Sequence, residues 1–247
     1  MHSVYIRFYE ELNDLIPKEK RKKRFEHHYI DRTSVKDLIE SLGVPHTEVD
    51  LIRVNNKSVG FGYLINDKDD ISVYPVFESF DIKDVQHLRP NPLRKPKFIT
   101  DVHLGKLTKY LRMLGLDVLY KDNFTDDTII ELSLKEERVI LTKDKNLLKR
   151  NEITRGYFVK DSDPERQVIE VVKRVQLQNQ IKEFTRCLEC NSLLKPVRKE
   201  EIENRIPLKV KENQNEFYVC DVCDKIYWQG THFDKMKSLI QKIKQDL

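Results

Sequence analysis

No apolar run in this chain approaches the roughly 18 residues needed to span a bilayer, and the opening stretch MHSVYIRFYEEL turns charged too early for a secretory signal. Both absences point away from a membrane and toward the cytoplasm. Nor is there an excess of one charge. The 45 Lys+Arg face 41 Asp+Glu, a formal net charge of +4 over 247 residues, and a balance this weak permits nucleic-acid binding without demanding it. No nucleophile–base triad stands out. What is present is a 39% hydrophobic content, enough for one large domain or two small ones.

Cysteine is scarce, and its placement is the sharpest signal in the chain. The four residues fall as Cys187-x2-Cys190 and Cys220-x2-Cys223. In a reducing compartment disulfides are disfavoured, and two C-x2-C pairs are the arrangement of a zinc ribbon. Each pair turns two sulfurs toward one point, and the stretch between them supplies strands that join the knuckles. Four thiolates leave no open coordination position, so the expected zinc is structural.

The N-terminal third reads as strand, strand, helix, strand, strand. Ser3 to Tyr9 alternates as a strand, a basic loop spans Lys18 to Arg24, and Phe25 to Asp31 is extended. Ser34 opens a helix with Val35, Leu38, Ile39 and Leu42 on one face and Gly43 at its end. Leu51 to Val54, an Asn55-Asn56 turn and Ile71 to Val76 follow. This order is that of a ubiquitin-like β-grasp fold. The runs TSVKDLIESLGVPHTEV and VNNKSVGFGYLINDKDDISVYPV resemble the small sulfur carriers of thiamine and molybdopterin synthesis. Those carriers end in a free Gly-Gly tail. Here the chain continues through Val76, Phe77 and Glu78, which argues against a carrier and for a binding or positioning module with a protein partner that the sequence does not identify.

A connector with Pro90, Pro92 and Pro96 comes next. Strands and helices then alternate from Lys97 to about Val175, as expected of a parallel sheet flanked by helices, with chemistry at the carboxyl ends of strands. Asp101 and Asp144 each close a strand, and Asp126 and Asp127 open the intervening helix. Two readings stand for each acid. It can cap the helix that follows, or it can join a carboxylate set holding Mg²⁺ or Mn²⁺.

The run FITDVHLGKLTKYLRMLGLDVLYKDNFTDDTIIELSLKEERVILTKDKNLLKR, with RCLECNSLL and FYVCDVCDKIYWQGTHFDKMKSLI behind it, resembles the PIN-like ribonuclease family named for the C-terminal part of the exonuclease Mut-7. The likeness covers about residues 97 to 240, and members of that family also carry a ubiquitin-like domain in front. It implies metal-dependent cleavage of RNA, with Asp101, Asp127 and Asp144 as catalytic ligands of magnesium or manganese. Where the family often has a second acid two residues after the last of these, this chain has Asn146, which leaves the metal count open and keeps a degenerate, binding-only site as the alternative. Thr142, just ahead of Asp144, is read either as a hydrogen-bond partner of a carboxylate or as strand packing.

Substrate contacts are expected on the first helix of this region, where Lys106, Lys109 and Arg112 recur at spacing three opposite Leu104, Leu107, Leu111 and Leu114. They read as phosphate ligands or as a solvated face. The run Lys18 to Arg24, six positive charges in seven residues, is an electrostatic arm or a loop tip. Tyr227, Trp228, His232 and Phe233 form an aromatic patch that stacks on bases or packs the last helix onto the ribbon. The expected organisation is a β-grasp domain at 1–78, a connector at 79–96, a PIN-like α/β nuclease domain at 97–180, and a zinc ribbon with a C-terminal helix at 181–247.

Overall fold

A computed structural model describes residues 2–75, 88 and 95–247, so most of the proline-bearing connector lies outside the described residues. In chain order the elements are β1 (His2–Phe8), β2 (Phe25–Tyr29), α1 (Val35–Ser41), β3 (Val49–Val54), β4 (Lys57–Val59), β5 (Asp70–Pro75), β6 (Lys97–Thr100), α2 (Gly105–Met113) and β7 (Val118–Leu119). There follow α3 (Asp126–Glu136), β8 (Arg138–Thr142), α4 (Lys145–Leu148), β9 (Gly156–Phe158) and α5 (Pro164–Arg174). The last part holds β10 (Lys195–Val197), α6 (Lys199–Ile202), α7 (Leu208–Asn213), β11 (Phe217–Val219), β12 (Ile226–Trp228) and α8 (Thr231–Gln245). These elements gather in two compact units, one of residues up to 94 with 126–158, the other of 95–125 with 159–247.

In the first unit the strand order is β2-β1-β5-β3-β4. The central pair β1 and β5 is parallel and the remaining pairs are antiparallel, which is the β-grasp arrangement. Alternation along β1 sends Val4, Ile6 and Phe8 inward, where they meet Ile71, Val73, Ile52 and Val54 and the helix residues Val35, Leu38 and Ile39. Each such side chain, fully withdrawn from water, contributes about 1.5–3 kcal/mol. Ser34 caps α1 by accepting a hydrogen bond from the Asp37 N–H at 3.1 Å. Gly43 ends the helix segment at φ +99°, a conformation that costs glycine nothing. Asn55 and Asn56, at φ 48° and 66°, form the tight β3–β4 turn, and β4 is one strand more than sequence periodicity shows.

The second segment of this unit carries α3, β8, α4 and β9, with β8 and β9 parallel and Leu141 opposite Tyr157. This segment packs on the β-grasp domain of the same chain. Phe158 packs against the β-grasp core. The Phe158 N–H donates to Glu48 Oε1 at 2.6 Å, Lys145 Nζ to the Leu15 carbonyl at 3.1 Å, and Lys149 Nζ to the Glu40 carbonyl at 2.8 Å. The His46 ring, buried, lies between Glu40 Oε1 at 2.7 Å and the Ile153 carbonyl at 2.8 Å. A turn of the β-grasp domain is thereby fastened to the loop and strand that follow α4.

In the second unit β6 and β7 are parallel, with Phe98 opposite Val118. Helix α2 presents Leu107, Leu111 and Leu114, and α5 presents Val168, Val171 and Val172, all buried. Asp163 caps α5 by accepting from the N–H groups of Glu165 and Arg166, and Pro164 takes the first helical position, where a missing N–H is harmless. The C-terminal sheet has the order β10-β11-β12, antiparallel throughout. Ile202, Ile206 and Phe217 form its small core, so α6 and the turn after it fill the interval between the two cysteine pairs. Helix α8 buries Ile240 and Ile243 and lies beside α5, where Lys242 pairs with Glu165 at 2.7 Å. The fold class is α/β, with parallel strands flanked by helices, a β-grasp domain ahead and a ribbon behind.

Candidate functional site

Among the described residues the side chains that gather as a metal-ligating group are Cys187, Cys190, Cys220 and Cys223, whose sulfurs all lie within 4.8 Å of one another. Local backbone geometry explains the convergence. In the first knuckle the Cys187 N–H donates to the Ser192 carbonyl and the Asn191 N–H to the Cys187 carbonyl; in the second, Cys220 N–H donates to Lys225 and Asp224 N–H to Cys220. The residue after each second cysteine, Asn191 at φ 72° and Asp224 at φ 59°, is left-handed, a state that Asn and Asp tolerate better than other side chains. The two turns are therefore copies of one another.

Cys187 and Cys223 sulfurs are 3.4 Å apart, and those of Cys190 and Cys220 are 3.2 Å apart. These separations are far beyond the roughly 2.05 Å of a disulfide and suit four ligands at about 2.3 Å around one tetrahedral ion. Burial opposes ionisation of Cys190, but hydrogen bonding with Ser192 and neighbouring thiols outweighs it and brings the group down to about 6. Burial pushes Cys223 up to about 12 and also raises Cys220. Crowded thiols of this kind cannot all ionise together unless a cation joins them. The cluster could hold a metal such as zinc.

The Tyr227 hydroxyl lies 3.1 Å from Cys187 Sγ and accepts the Leu188 N–H at 3.2 Å. Burial, then the contact with Cys187, raises its pKa. A residue that reads in sequence as part of an aromatic patch is thus a support of the first knuckle. Phe233 of the same patch meets Phe184, with ring centroids 4.5 Å apart.

Arg112 is a correction to the basic-face expectation. Lys106 and Lys109 are exposed, but Arg112 is 2% exposed. Its Nε and one terminal nitrogen donate to the Val118 carbonyl at 2.9 and 2.8 Å, and the other donates to the carbonyls of Leu188 and Glu189 at 2.9 and 2.8 Å. Burial lowers its pKa, while the cysteines of the first knuckle work in the opposite direction. The guanidinium fork fastens the knuckle to α2 and β7. Asn191 adds to the same joint, its Oδ1 accepting the Val118 N–H at 3.0 Å and its Nδ2 donating to Asp117 at 2.8 Å. Lys106 and Lys109 line an open cleft of about 540 Å³ together with Tyr120, Lys121 and Glu189.

The three acids lie where the sequence puts them along the chain, each at the start of a helical segment. Asp101 follows β6, is buried, and accepts the His103 N–H at 2.8 Å. Asp144 follows β8, is exposed, and accepts the Asn146 N–H at 2.7 Å. The Thr142 hydroxyl accepts the Asp144 N–H at 2.9 Å, so it holds the backbone of this acid. Capping is therefore real for both residues, and a carboxylate that caps with one oxygen still has lone pairs for a cation. Asp127, exposed in the first turn of α3, pairs with Arg150 at 2.6 Å, a partner that no sequence pattern indicated.

A family model described as Mut7-C ubiquitin matches residues 1–81. No curated protein and no solved structure matches the chain. A second family model, described as Mut7-C RNAse domain, matches residues 96–240, more than half of the chain, and takes in α2, the acids and both cysteine knuckles. The chain belongs to the Mut7-C RNAse domain family, with a Mut7-C ubiquitin domain in front of it.

Proposed function

We propose that the protein is a divalent-metal-dependent ribonuclease that hydrolyses RNA phosphodiester bonds, with Asp101, Asp127 and Asp144 as its acidic ligands and a structural zinc at the four cysteines. The observation that carries the reading is the match to the RNAse domain over 96–240. Carboxylates are the oxygen donors that Mg²⁺ and Mn²⁺ take, and thiolates suit zinc. A divalent ion bound by such acids lowers the pKa of water and offsets charge on the phosphate. The chain's own part is to fix the carboxylates. Asp101 and Asp144 each accept a backbone N–H, from His103 and Asn146, which orients the carboxylate, and the Thr142 hydroxyl accepts the Asp144 N–H. Lys106 and Lys109, exposed on α2, meet phosphates. No histidine or nucleophilic side chain is required for this reaction class. With no helix among the described residues long and apolar enough to cross a membrane, the setting we assign is the cytoplasm.

A second reading is favoured by two observations, the uncharged Asn146 and the Asp127–Arg150 pair. It is a non-catalytic RNA- or protein-binding adaptor. The two separate in one assay. The purified chain with Mn²⁺ or Mg²⁺ is expected to cleave single-stranded or structured RNA, and Asp101→Asn or Asp144→Asn to lower the rate by about 100-fold or more, the scale of losing an electrostatic contact at the reacting centre. Equal rates in wild type and both variants would reject the nuclease and leave the adaptor.

A further inference from the structure

The β-grasp sheet has a face that α1 does not cover. Alternation along the strands sends Val4, Ile6 and Phe8 to the helix side, and so it sends Tyr5 and Arg7 to the other side, with Tyr9 just past the end of β1 continuing the same alternation. The pairing register sets neighbours across this face: Arg7 lies opposite Ser72 and Ser72 opposite Arg53, while Tyr74 lies opposite Leu51. Arg7 and Arg53 are exposed, and Tyr5, Tyr9 and Tyr74 are half-buried.

These residues form an alternation of rings and cations. The Tyr9 and Tyr74 rings are stacked, with centroids 4.3 Å apart and planes 15° from parallel. The Arg7 guanidinium lies 4.8 Å from the Tyr9 ring centre, and the Arg24 guanidinium 3.7 Å from that of Tyr5. Arg24 is the last residue of the Lys18–Arg24 basic run, so that run leads onto the face. The acids nearby are already matched: Asp70 pairs with Arg24 at 3.0 Å and Glu26 with Lys68 at 3.6 Å. Arg7 and Arg53 have no carboxylate partner among the described residues, Arg7 lying over the Tyr9 ring and Arg53 donating one N–H to the Asn56 carbonyl at 2.8 Å, which leaves the centre of the face positive.

We propose that the face of the β-grasp sheet opposite α1, with Tyr5, Tyr9 and Tyr74 as stacking rings and Arg7 and Arg53 as phosphate ligands, binds single-stranded RNA. Planar side chains beside cations on a sheet face accept unpaired bases of any identity while the guanidinia meet the backbone. A duplex hides its base faces and would use the cations alone. The choice of RNA rests on the function proposed above, but binding is read without cleavage, so the two claims fail separately.

The test uses the full chain with no added divalent ion and a fluorescein-labelled oligouridylate of about 12 nucleotides, followed by anisotropy over a salt series. The double variant Arg7→Ala/Arg53→Ala is expected to bind at least about tenfold more weakly and to flatten the slope of log Kd against log salt by about 1.4, as for two lost phosphate contacts. Tyr9→Leu and Tyr74→Leu are expected to weaken binding about fivefold or more with the slope retained, since stacking is not an ionic term. Lys36→Ala, on the helix side, serves as a control and should match wild type. An unfolding midpoint equal to that of wild type shows that the arginine variant is folded. The proposal is overturned if wild type does not bind, if the arginine variant binds as wild type does, or if the tyrosine variants bind unchanged while oligoglutamate of equal charge displaces the RNA, which would mark a surface for an acidic protein. RNA binding that depends on this face in a chain that fails to cleave with Mn²⁺ would reject the nuclease and leave the platform standing.

Discussion

Arg112 shows how a single side chain can reverse its meaning between sequence and structure. Positions three apart on a helix precess by about 60° per step, so Lys106, Lys109 and Arg112 do not share one direction, and the third is covered by the first cysteine knuckle and the end of β7. There the guanidinium meets three backbone carbonyls, those of Val118, Leu188 and Glu189. Arg112→Ala leaves these acceptors without their donor and is expected to cost about 3–5 kcal/mol, with Arg112→Lys nearly as damaging because an ammonium cannot reproduce the planar fork. Lys106→Ala and Lys109→Ala, both exposed, are expected to stay within about 0.5 kcal/mol. Thermal unfolding of the four variants checks the contrast, and equal losses at all three positions would contradict it. Tyr227 was hidden from sequence reading for a related reason. Its ring belongs to an aromatic cluster, and nothing in the spacing shows that its hydroxyl reaches Cys187.

At the scale of elements, the strands and helices that carry strong periodicity or a clear cap were legible, and the elements fixed by tertiary contacts were not. Helix α1 announces itself through Ser34 and Gly43. Strand β4 has three residues and no alternation to detect, and α6 and α7 are short segments between the knuckles that the small ribbon core organises. The knuckles themselves were legible in full, because C-x2-C spacing dictates their geometry. Where the ribbon is anchored was not legible. The segment before Cys187 runs along the end of α2, with Lys182 N–H donating to Leu114 and Phe184 N–H to Met113, at 2.9 and 2.8 Å. Gly115 makes this possible, at φ +82° and with a Cβ that would run into the Lys182 carbonyl. Gly115→Ala combines an unfavourable backbone with that overlap and is expected to cost about 2 kcal/mol or more. Hydrogen exchange should show the loss at the ribbon anchor, in the Lys182 and Phe184 amides; full protection there would contradict it.

For the whole molecule the division into a β-grasp domain and a nuclease domain, plain in sequence and in the two family matches, is not the division into compact units. Residues 126–158 belong with the β-grasp domain. Buried Glu48 and His46, which look like ordinary loop residues in sequence, make the connection through Phe158 and Ile153. A chain cut to residues 96–247 loses the partner of that segment and is expected to exchange amide hydrogens quickly around β9. Protection equal to that in the full chain would mean that the β-grasp domain is merely attached. Local chain neighbours reveal none of this, since the contacts join residues about a hundred positions apart.

The proposed function gives the two metals separate roles, zinc holding the ribbon together and the acids carrying the chemistry. Zinc content and RNA cleavage, measured on the same preparations of wild type, Asp144→Asn and Cys187→Ser, test that separation most directly. Asp144→Asn is expected to keep one zinc and the wild-type unfolding midpoint while losing cleavage, and Cys187→Ser to lose zinc and unfold its C-terminal part, with any loss of cleavage following from that. A folded, zinc-free Cys187→Ser protein with full activity, or an Asp144→Asn protein that cleaves as wild type does, would contradict it.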